Sequence, residues 1–387
     1  MNKFIQTSLF VIFTLFYTGC TNMIINDINP TIKVNTENLT KSLISQQVKK
    51  NQNIGLIVGV LHQNDIKTFA YGYANKEDNI KISDDTVFAL GSNTKTLIKS
   101  LILVLEDKKL INLDEKISDI LPSHLKYADI DIQNITIRDL MLHTSGLPRE
   151  PYDFATFKAM IKYFFTGENI YKHIDTPYMY QYLETVKVNK SKQNQASYSN
   201  IGMGLLAYTI SYKMQKPLDE ILQEYLLKPL KMSNTIISSS SKDIKDLAIG
   251  YVGEYPIFIK RNTPLENWSF SKMMVGTGGG YSTVLDLLKL TKAHLQLSNT
   301  PFDKIFQKSH QVYTKDKELS YTLGWQVKYI KRYDMNIHYK YGVVAGFSSY
   351  IGMNLKTKDA VVVLKNNFNW NDNIGHNILI NLALAKN

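Results

Sequence analysis

Patterns typical of β-strands stand near both ends of this 387-residue chain, and helical patterns lie between them. Near the start, two apolar, β-rich runs, 54–62 and 66–73, flank Gln63-Asn64-Asp65, which is a hairpin signal. Near the end, turn residues separate four further runs: 323–330, 336–341, 346–354 and 360–365. The last segment, 372–385, has the pattern of a helix with an apolar face. These positions predict an α+β sandwich whose antiparallel sheet is built from both terminal segments and flanked by helices.

The same pattern divides the chain into parts that we expect to fold differently. Residues 39–106 and 275–387 should together form the α/β sheet domain. Residues 107–274, where helical and loop patterns predominate, should form an inserted, mostly helical domain. We find neither an internal repeat nor a low-complexity tract, so a repeat architecture is excluded.

Composition excludes several classes of function. An apolar fraction of 44% and a charged fraction of 20% are those of an ordinary globular protein, not of a disordered or membrane-embedded chain. The formal net charge is +11, but lysines and acids are interspersed, with no basic block and no aromatic RNA-binding motif. We therefore expect no nucleic-acid partner, and attraction to an anionic cell surface or wall polymer fits the charge better.

The first nineteen residues have the pattern of an export signal. Lys3 gives a short positive start, and the apolar run 4–16 is too short for a stable membrane-spanning helix. The run leads to Tyr17-Thr18-Gly19-Cys20, which resembles a bacterial lipoprotein cleavage site with tyrosine where leucine is usual. An ordinary secretory signal cut nearby is the alternative.

Either form of processing leads to an exported protein. We expect residues 1–19 to be the signal peptide and residues 20–38 to be a tether that a lipid on Cys20 anchors to a bacterial membrane, which places the protein in the periplasm. Because Cys20 is the only cysteine, no disulfide can form within the chain.

A serine and a lysine three positions apart carry the clearest chemical signal. Ser92 and Lys95 precede the long apolar run 97–105, and a helix starting near Ser92 would place both side chains on one face. A lysine kept partly neutral by burial can accept the hydroxyl proton, and the helix N-terminus adds positive potential. The same spacing occurs at Ser123 and Ser239, but only Ser92 follows an apolar segment and a glycine and precedes a long apolar helix.

Three sequence motifs resemble those of a known enzyme family. Ser92-Asn93-Thr94-Lys95, Tyr198-Ser199-Asn200 and Lys340-Tyr341-Gly342 are similar, in this order, to the active-site elements of serine penicillin-recognising enzymes. The second motif points to the class C β-lactamase branch, which also holds D-alanyl-D-alanine peptidases and related esterases. Arg149-Glu150 and the lysine of the third motif resemble the AmpH-type D-alanyl-D-alanine carboxypeptidase/endopeptidases. The resemblance covers about residues 54–365. Three further segments support it: 142–148, 276–286 and 346–348.

The resemblance implies catalysis through an acyl-enzyme. Ser92 would be the acylated nucleophile, and Lys95 and Tyr198 would share the roles of proton acceptor and donor. A phenol has an unperturbed pKa of about 10, so nearby cations are needed to make its phenolate accessible. Lys95 and Lys340 would supply that positive field.

The resemblance also implies the residues that hold the substrate. Asn200 would hold the substrate amide, and Lys340 would suit a terminal carboxylate. The backbone N–H of Val343 would pair with that of Ser92 as an oxyanion hole. No cofactor is implied, and no His/Cys/Asp cluster has metal-ligand spacing.

The third motif departs from the Lys-Thr-Gly of the family. Tyr341 replaces the threonine whose hydroxyl normally helps bind the substrate carboxylate, whereas Gly342 keeps the pattern. Tyr341 could donate from its own hydroxyl at a different distance, or it could narrow the cleft. The departure predicts poor turnover of β-lactams by an otherwise complete acylation site.

Each residue also has a structural interpretation. Tyr198 could be a half-buried aromatic residue, Asn200 a helix cap, and Lys340 a solvated strand residue. His143 suits the role of a general base by its chemistry, but within its Leu-His-Thr-Ser-Gly turn a structural hydrogen bond is favoured. The joint appearance of the motifs, in order, favours the catalytic interpretation.

The function predicted from the sequence is that of a lipid-anchored periplasmic serine hydrolase. Its substrates would be D-Ala-containing peptidoglycan stem peptides, cleaved as a DD-carboxypeptidase or endopeptidase, and it would bind penicillin. Alternatives are a class C-like β-lactamase acting on β-lactams, a catalytically silent wall-binding homologue, and an esterase. The esterase is disfavoured because such relatives usually carry histidine where Lys340 stands.

Overall fold

The computed structural model describes residues 35–51, 54–188, 195–316, 319–369 and 373–384. The predicted signal peptide, Cys20 and the tether as far as residue 34 lie outside the described residues, so these stay predictions.

The helices and strands are numbered in chain order. The α-helices are α1 (Thr36–Asn51), α2 (Thr94–Asp107), α3 (Ile117–Ile120), α4 (Ile130–Gln133), α5 (Ile137–Leu142), α6 (Phe154–Thr166), α7 (Thr176–Leu183), α8 (Asn200–Met214), α9 (Leu218–Leu222), α10 (Val275–Gly278), α11 (Val284–His294), α12 (Phe302–Ile305) and α13 (Ile374–Leu384). The strands are β1 (Gly55–His62), β2 (Asp65–Asn75), β3 (Ile80–Lys81), β4 (Phe88–Ala89), β5 (Ile236–Ile237), β6 (Gly250–Tyr251), β7 (Pro264–Leu265), β8 (Gly280–Ser282), β9 (Val312–Asp316), β10 (Leu319–Thr322), β11 (Gln326–Ile330), β12 (Met335–Val344), β13 (Phe347–Asn354) and β14 (Asp359–Lys365).

Nine strands of the described chain form one antiparallel sheet in the order β3-β2-β1-β14-β13-β12-β11-β10-β9. The N-terminal strand β1 pairs with the C-terminal strand β14, and Leu56 lies opposite Lys365. The turn between β1 and β2 has positive φ at Gln63 and Asn64, 51° and 71°, the conformation of a tight hairpin. The predicted α+β fold, with a flanked antiparallel sheet built from both termini, is confirmed.

The two faces of the sheet are covered by different helices. In β14, Val362 and Leu364 belong to one buried apolar cluster, which also contains residues of α2, α8 and α11. The alternate residues Val361 and Val363 belong to a second cluster with α1 and α13. Because side chains alternate along a strand, this central strand is buried on both faces and reads as a continuous apolar run.

Between residues 107 and 274 the described elements are helices and two-residue strands. Apolar side chains of this region, such as Ile210 on α8, lie in the same cluster as those of α2. Packing therefore brings the helical region against the helix that follows Ser92. The division into an inserted domain at the predicted bounds stays a prediction.

One strand begins later than its sequence pattern predicts, and the edge strands β9 and β10 are among those that were not predicted. β11 begins at Gln326 because Leu323-Gly324-Trp325 makes a turn, in which Thr322 Oγ1 accepts a hydrogen bond from the backbone N–H of Trp325 over 2.8 Å. The short edge strands β9 and β10 precede this turn, and their mixed polar sequence gives no clear alternation.

Candidate active site

Ser92 lies in a 3₁₀ turn, Gly91–Asn93, directly before α2. Residues 94–105 of α2 are all buried. A helix enclosed on every side keeps its N-terminal turn in one position, so the fold holds the serine on a rigid support.

Two glycines allow the serine turn to touch β12. Gly91 has a φ of +51°, and a Cβ added there would lie 2.6 Å from the backbone carbon of Val343. A Cβ on Gly342 would lie 2.1 Å from the carbonyl oxygen of Leu90. No other residue fits either position without a shift, so the backbones next to Ser92 and Val343 are held side by side.

Ser349 on β13 fastens the same turn to the sheet. Its hydroxyl donates to the carbonyl of Leu90 over 2.6 Å and accepts from Asn93 Nδ2 over 2.7 Å. All three residues are buried, so the turn is tied to the sheet by hydrogen bonds that water does not weaken.

The Ser92 hydroxyl oxygen is contacted by two groups that move protons. Lys95 Nζ donates to Ser92 Oγ over 3.0 Å, and Tyr198 OH donates to it over 2.8 Å. Lys95 is 1% exposed, and its ammonium also donates to the carbonyl of Thr277 over 2.7 Å. The structure thus brings together the three residues predicted to be catalytic.

Three cations surround the ring of Tyr198. Lys340 Nζ lies 4.2 Å, Arg149 Cζ 5.0 Å and Lys95 Nζ 5.4 Å from the ring centre. Each distance is within the range of a favourable cation–π contact. The same positive field stabilises a phenolate more than a neutral phenol. Arg149 was noted in the sequence only as a sign of subfamily, and the structure adds it to this field.

His143 packs against Tyr198 as a neutral residue. Its ring centre is 4.7 Å from that of Tyr198, and its Nδ1 accepts the backbone N–H of Ser199 over 3.2 Å. Burial, with the charge of Lys99 and other cations, holds the pKa of His143 well below its usual range. The geometry is that of a structural hydrogen bonder, as the turn motif indicates.

Asn200 begins α8 but does not cap it. The cap is Ser199, whose Oγ accepts the backbone N–H of Gly202 over 2.8 Å. Asn200 instead donates from Nδ2 to Glu150 Oε1 over 2.6 Å and to Tyr171 OH over 2.9 Å. Capping therefore does not explain this asparagine.

Glu150 and Tyr171 form the buried wall behind Asn200. Burial raises the pKa of the Glu150 carboxyl, and burial with the nearby Glu150 charge raises that of the Tyr171 phenol well above its usual value. The sequence motif contained Glu150 but gave it no role. Tyr171 was missed altogether, because a lone tyrosine in a loop pattern carries no local signal.

Lys340 and Tyr341 lie on opposite faces of β12. Lys340 is 6% exposed and reaches the ring of Tyr198, so it is not a solvated strand residue. Tyr341 pairs in register with Tyr350, and their ring centres are 6.1 Å apart beside the cluster of α13. The predicted contact of Tyr341 with substrate stays a prediction, and this placement does not favour a narrowed cleft on the Lys340 face.

Two features are absent from the described ranges, namely a metal-binding cluster and a membrane-spanning helix. Within these ranges, no group of three or more His, Cys, Asp or Glu side chains could hold a metal ion. Over the same ranges, every helix is too short or too polar to cross a bilayer.

Comparison with known sequences identifies the class. The sequence model of the family described as Beta-lactamase matches residues 40–385, which is most of the chain. The chain belongs to the beta-lactamase family, whose members with this site are serine hydrolases. The predicted family and enzyme class are confirmed.

Individual members of the family and solved structures are also similar to this chain. AmpH of Escherichia coli K12, named a D-alanyl-D-alanine-carboxypeptidase/endopeptidase, is 25% identical over 318 residues, covering 77% of this chain and 76% of the relative. A class C β-lactamase from Rhodobacter sphaeroides superimposes with a TM-score of 0.73 at 20% identity, covering 90% and 98% of the two chains. The D-alanine carboxypeptidase AmpC from Burkholderia cenocepacia gives 0.71 at 18% identity, covering 89% and 98%. The predicted likeness to AmpH and to the class C branch is confirmed.

Proposed function

We propose that this protein is an exported serine hydrolase that acts through an acyl-enzyme on D-Ala-containing peptidoglycan peptides, as a DD-carboxypeptidase or endopeptidase. The observation that carries the proposal is the pair of hydrogen bonds to Ser92 Oγ, from Lys95 Nζ at 3.0 Å and from Tyr198 OH at 2.8 Å. A hydroxyl held by two proton-transfer groups is the arrangement of an activated nucleophile.

In acylation, Ser92 Oγ attacks the carbonyl carbon of the penultimate residue, and its proton passes to Lys95 or Tyr198 acting as base. The bond to the terminal D-Ala nitrogen breaks, and the protonated base returns the proton to that nitrogen. Water then repeats the sequence on the Ser92 ester, which releases the shortened peptide and restores the hydroxyl. No oxidant or cofactor is needed to balance these steps.

The developing oxyanion needs hydrogen-bond donors. The close contact of Gly91 with β12 brings the backbone of Val343 beside the serine turn. The N–H groups of Ser92 and Val343 would then bind the oxyanion, and each such donor lowers the barrier by about 3–4 kcal/mol. This pairing supports acyl transfer in general and does not distinguish amides from esters.

Lys340 supports a substrate that ends in a carboxylate. Its ammonium is buried beside Tyr198, at 4.2 Å from the ring centre. A buried cation next to the reacting serine can pair with the terminal carboxylate of a D-Ala-D-Ala peptide. The carboxypeptidase activities for which AmpH and the Burkholderia relative are named agree with this substrate class.

The location is proposed from the sequence. Residues 1–19 have the pattern of a signal peptide, and lipidation of Cys20 would anchor the mature protein to a bacterial membrane on the periplasmic side. Intact mass of the protein purified from membranes would show the lipid on Cys20. A mature mass without lipid would contradict the lipid anchor, and an unprocessed N-terminus would contradict export.

A β-lactamase is the second candidate, because class C β-lactamases share the fold. The experiment compares three substrates: a muropeptide ending in D-Ala-D-Ala, nitrocefin, and a p-nitrophenyl ester. We expect release of D-Ala from the muropeptide, slow stoichiometric acylation by nitrocefin and no product with Ser92→Ala. Rapid nitrocefin hydrolysis without D-Ala release would favour the β-lactamase, ester turnover alone would favour an esterase, and no acyl adduct with any substrate would favour a silent homologue.

A further inference from the structure

A buried hydrogen-bond network fixes the orientation of the Asn200 side chain. Asn200 Nδ2 donates to Glu150 Oε1 over 2.6 Å and to Tyr171 OH over 2.9 Å. Tyr171 OH in turn donates to the same Glu150 oxygen over 2.8 Å. All three side chains are buried, so the network lies away from bulk water.

The chemistry of Glu150 sets the direction of each of these bonds. A carboxylate can only accept, and a carboxyl group protonated at Oε2 still accepts at Oε1. The single hydrogen of the Tyr171 hydroxyl is given to Glu150, so its oxygen can only accept from Asn200. Both N–H bonds of Asn200 are therefore used within the protein. A flipped amide would turn its oxygen towards two acceptors.

This arrangement leaves the Asn200 carbonyl oxygen for another partner. Oδ1 is buried and accepts no hydrogen bond from the part of the chain that the structure describes. Leaving such a buried acceptor unpaired is costly, so a ligand that offers an N–H is favoured there.

Asn200 is linked to Lys95 through Thr277. It follows Tyr198 by two residues, and its backbone carbonyl accepts from the Thr277 hydroxyl over 3.2 Å. The carbonyl of the same Thr277 accepts from Lys95 Nζ. Thr277 thus joins Asn200 to the lysine that contacts Ser92.

We propose that Glu150 and Tyr171 are positioning residues that hold Asn200 as a hydrogen-bond acceptor, so that the site selects acyl donors with an amide N–H on the carbon next to the reacting carbonyl. The inference rests on the proposed acyl-enzyme at Ser92. It adds that the site recognises the amide N–H of the substrate. An N-acyl-D-alanyl group carries this N–H. An O-acyl-D-lactyl group, in which oxygen replaces the nitrogen, does not.

The test uses the full chain and two matched thioesters, N-acetyl-D-alanyl and O-acetyl-D-lactyl, with kcat and KM measured separately. The parent protein should prefer the N–H substrate by about tenfold in kcat/KM, mostly through KM, as a hydrogen bond present in only one complex predicts. Asn200→Ala should lose most of this preference. Glu150→Gln and Tyr171→Phe should also reduce it severalfold, because glutamine can offer an N–H to the network and phenylalanine offers no acceptor.

The matched control is Tyr180→Phe, which removes a hydroxyl from a hydrogen-bonded pair with Tyr208, 2.6 Å long, elsewhere in the helical region. It should leave the preference unchanged. Melting temperatures show whether each variant is folded, and Tyr171→Phe carries the test if Glu150→Gln does not fold. If Glu150 and Tyr171 had only a structural role, their variants would change the melting temperature without changing the ratio of kcat/KM between the two substrates.

A double-mutant cycle decides whether Glu150 acts through Asn200. Glu150→Gln should add no further loss of preference in the Asn200→Ala background. Independent, additive losses, or a preference unchanged in the single variants, would overturn the inference. Equal kcat/KM for both substrates in the parent protein would also overturn the inference, but it would not contradict the proposed acyl-enzyme at Ser92. Failure to acylate Ser92 with either substrate would instead overturn the proposed function.

Discussion

Tyr198 OH donates to Ser92 Oγ over 2.8 Å, although the two residues are 106 positions apart in the sequence. Tyr198→Phe removes this hydroxyl and keeps the ring that packs on His143. We predict a fall in the acylation rate of about 10²–10⁴-fold, the usual contribution of a positioned acid–base group. Stopped-flow kinetics with nitrocefin measure this rate. Tyr212→Phe on α8 is the control, and equal rates for the parent and Tyr198→Phe would remove Tyr198 from the proton transfer.

Lys340 should bind the negative end of the substrate. Replacing it with methionine keeps most of the side-chain volume but removes the cation beside Tyr198. For peptides with a terminal carboxylate, we predict that kcat/KM falls by about 10–100-fold, which is the range for hydrogen bonds to charged groups. Peptides with an amidated terminus should lose less. Lys328→Met on the adjacent strand is the control, and equal losses for both kinds of peptide would count against a carboxylate contact.

Gly342 is needed for the contact between the serine turn and β12. Gly342→Ala would place a Cβ 2.1 Å from the carbonyl oxygen of Leu90, so the strand or the turn must move. We predict a loss of about 1–3 kcal/mol in the free energy of unfolding, together with loss of acylation. Urea titration measures the first effect. Gly202→Ala, whose Cβ would meet a side-chain oxygen at 3.1 Å, should cost less, and a reversed order would contradict the close-contact explanation.

Two histidines, His338 buried and His310 half-buried, should make the stability fall at acidic pH. The rings of His310 and His338 are 5.4 Å apart. Burial lowers the pKa of His310 to about 3 and that of His338 to about 4. An unfolded histidine has a pKa of about 6.5, so the unfolded chain binds the proton first as the pH falls. The stability from the neutral rings is complete above about pH 6.5 and is lost progressively below it.

Urea midpoints measured between pH 7 and pH 4 test this expectation. The parent should lose stability over this interval, and His338→Gln should show a weaker dependence on pH because one of the two groups no longer titrates. His124→Gln, at an exposed position, should keep the dependence of the parent. Identical pH dependence in the parent and His338→Gln would show that these rings do not cause it.

Much of the fold was predictable because its signals are local. The β1–β2 hairpin and the apolar run of β14 each carry a strand pattern. The order of the three motifs along the chain was enough to predict the candidate active-site residues. Contacts that join distant segments were not predictable in the same way. Tyr171 meets Asn200 only after two loops are folded together, and nothing in its neighbourhood marks it.

Tyr341 illustrates a different limit. Its position in the third motif suggested that it replaces a threonine at the substrate, but in β12 its ring lies next to Tyr350, on the face opposite Lys340. Alternation along a strand could have indicated this face, although not which neighbour fills it.

Covalent acylation of Ser92 is tested most directly by the intact mass of the full chain after incubation with benzylpenicillin. Opening of the lactam ring releases no leaving group, so we predict that the chain gains the mass of one whole penicillin, that peptide mapping assigns it to Ser92, and that Ser92→Ala gains none. A parent protein that stays unmodified, or an adduct that persists in Ser92→Ala, would contradict the acyl-enzyme.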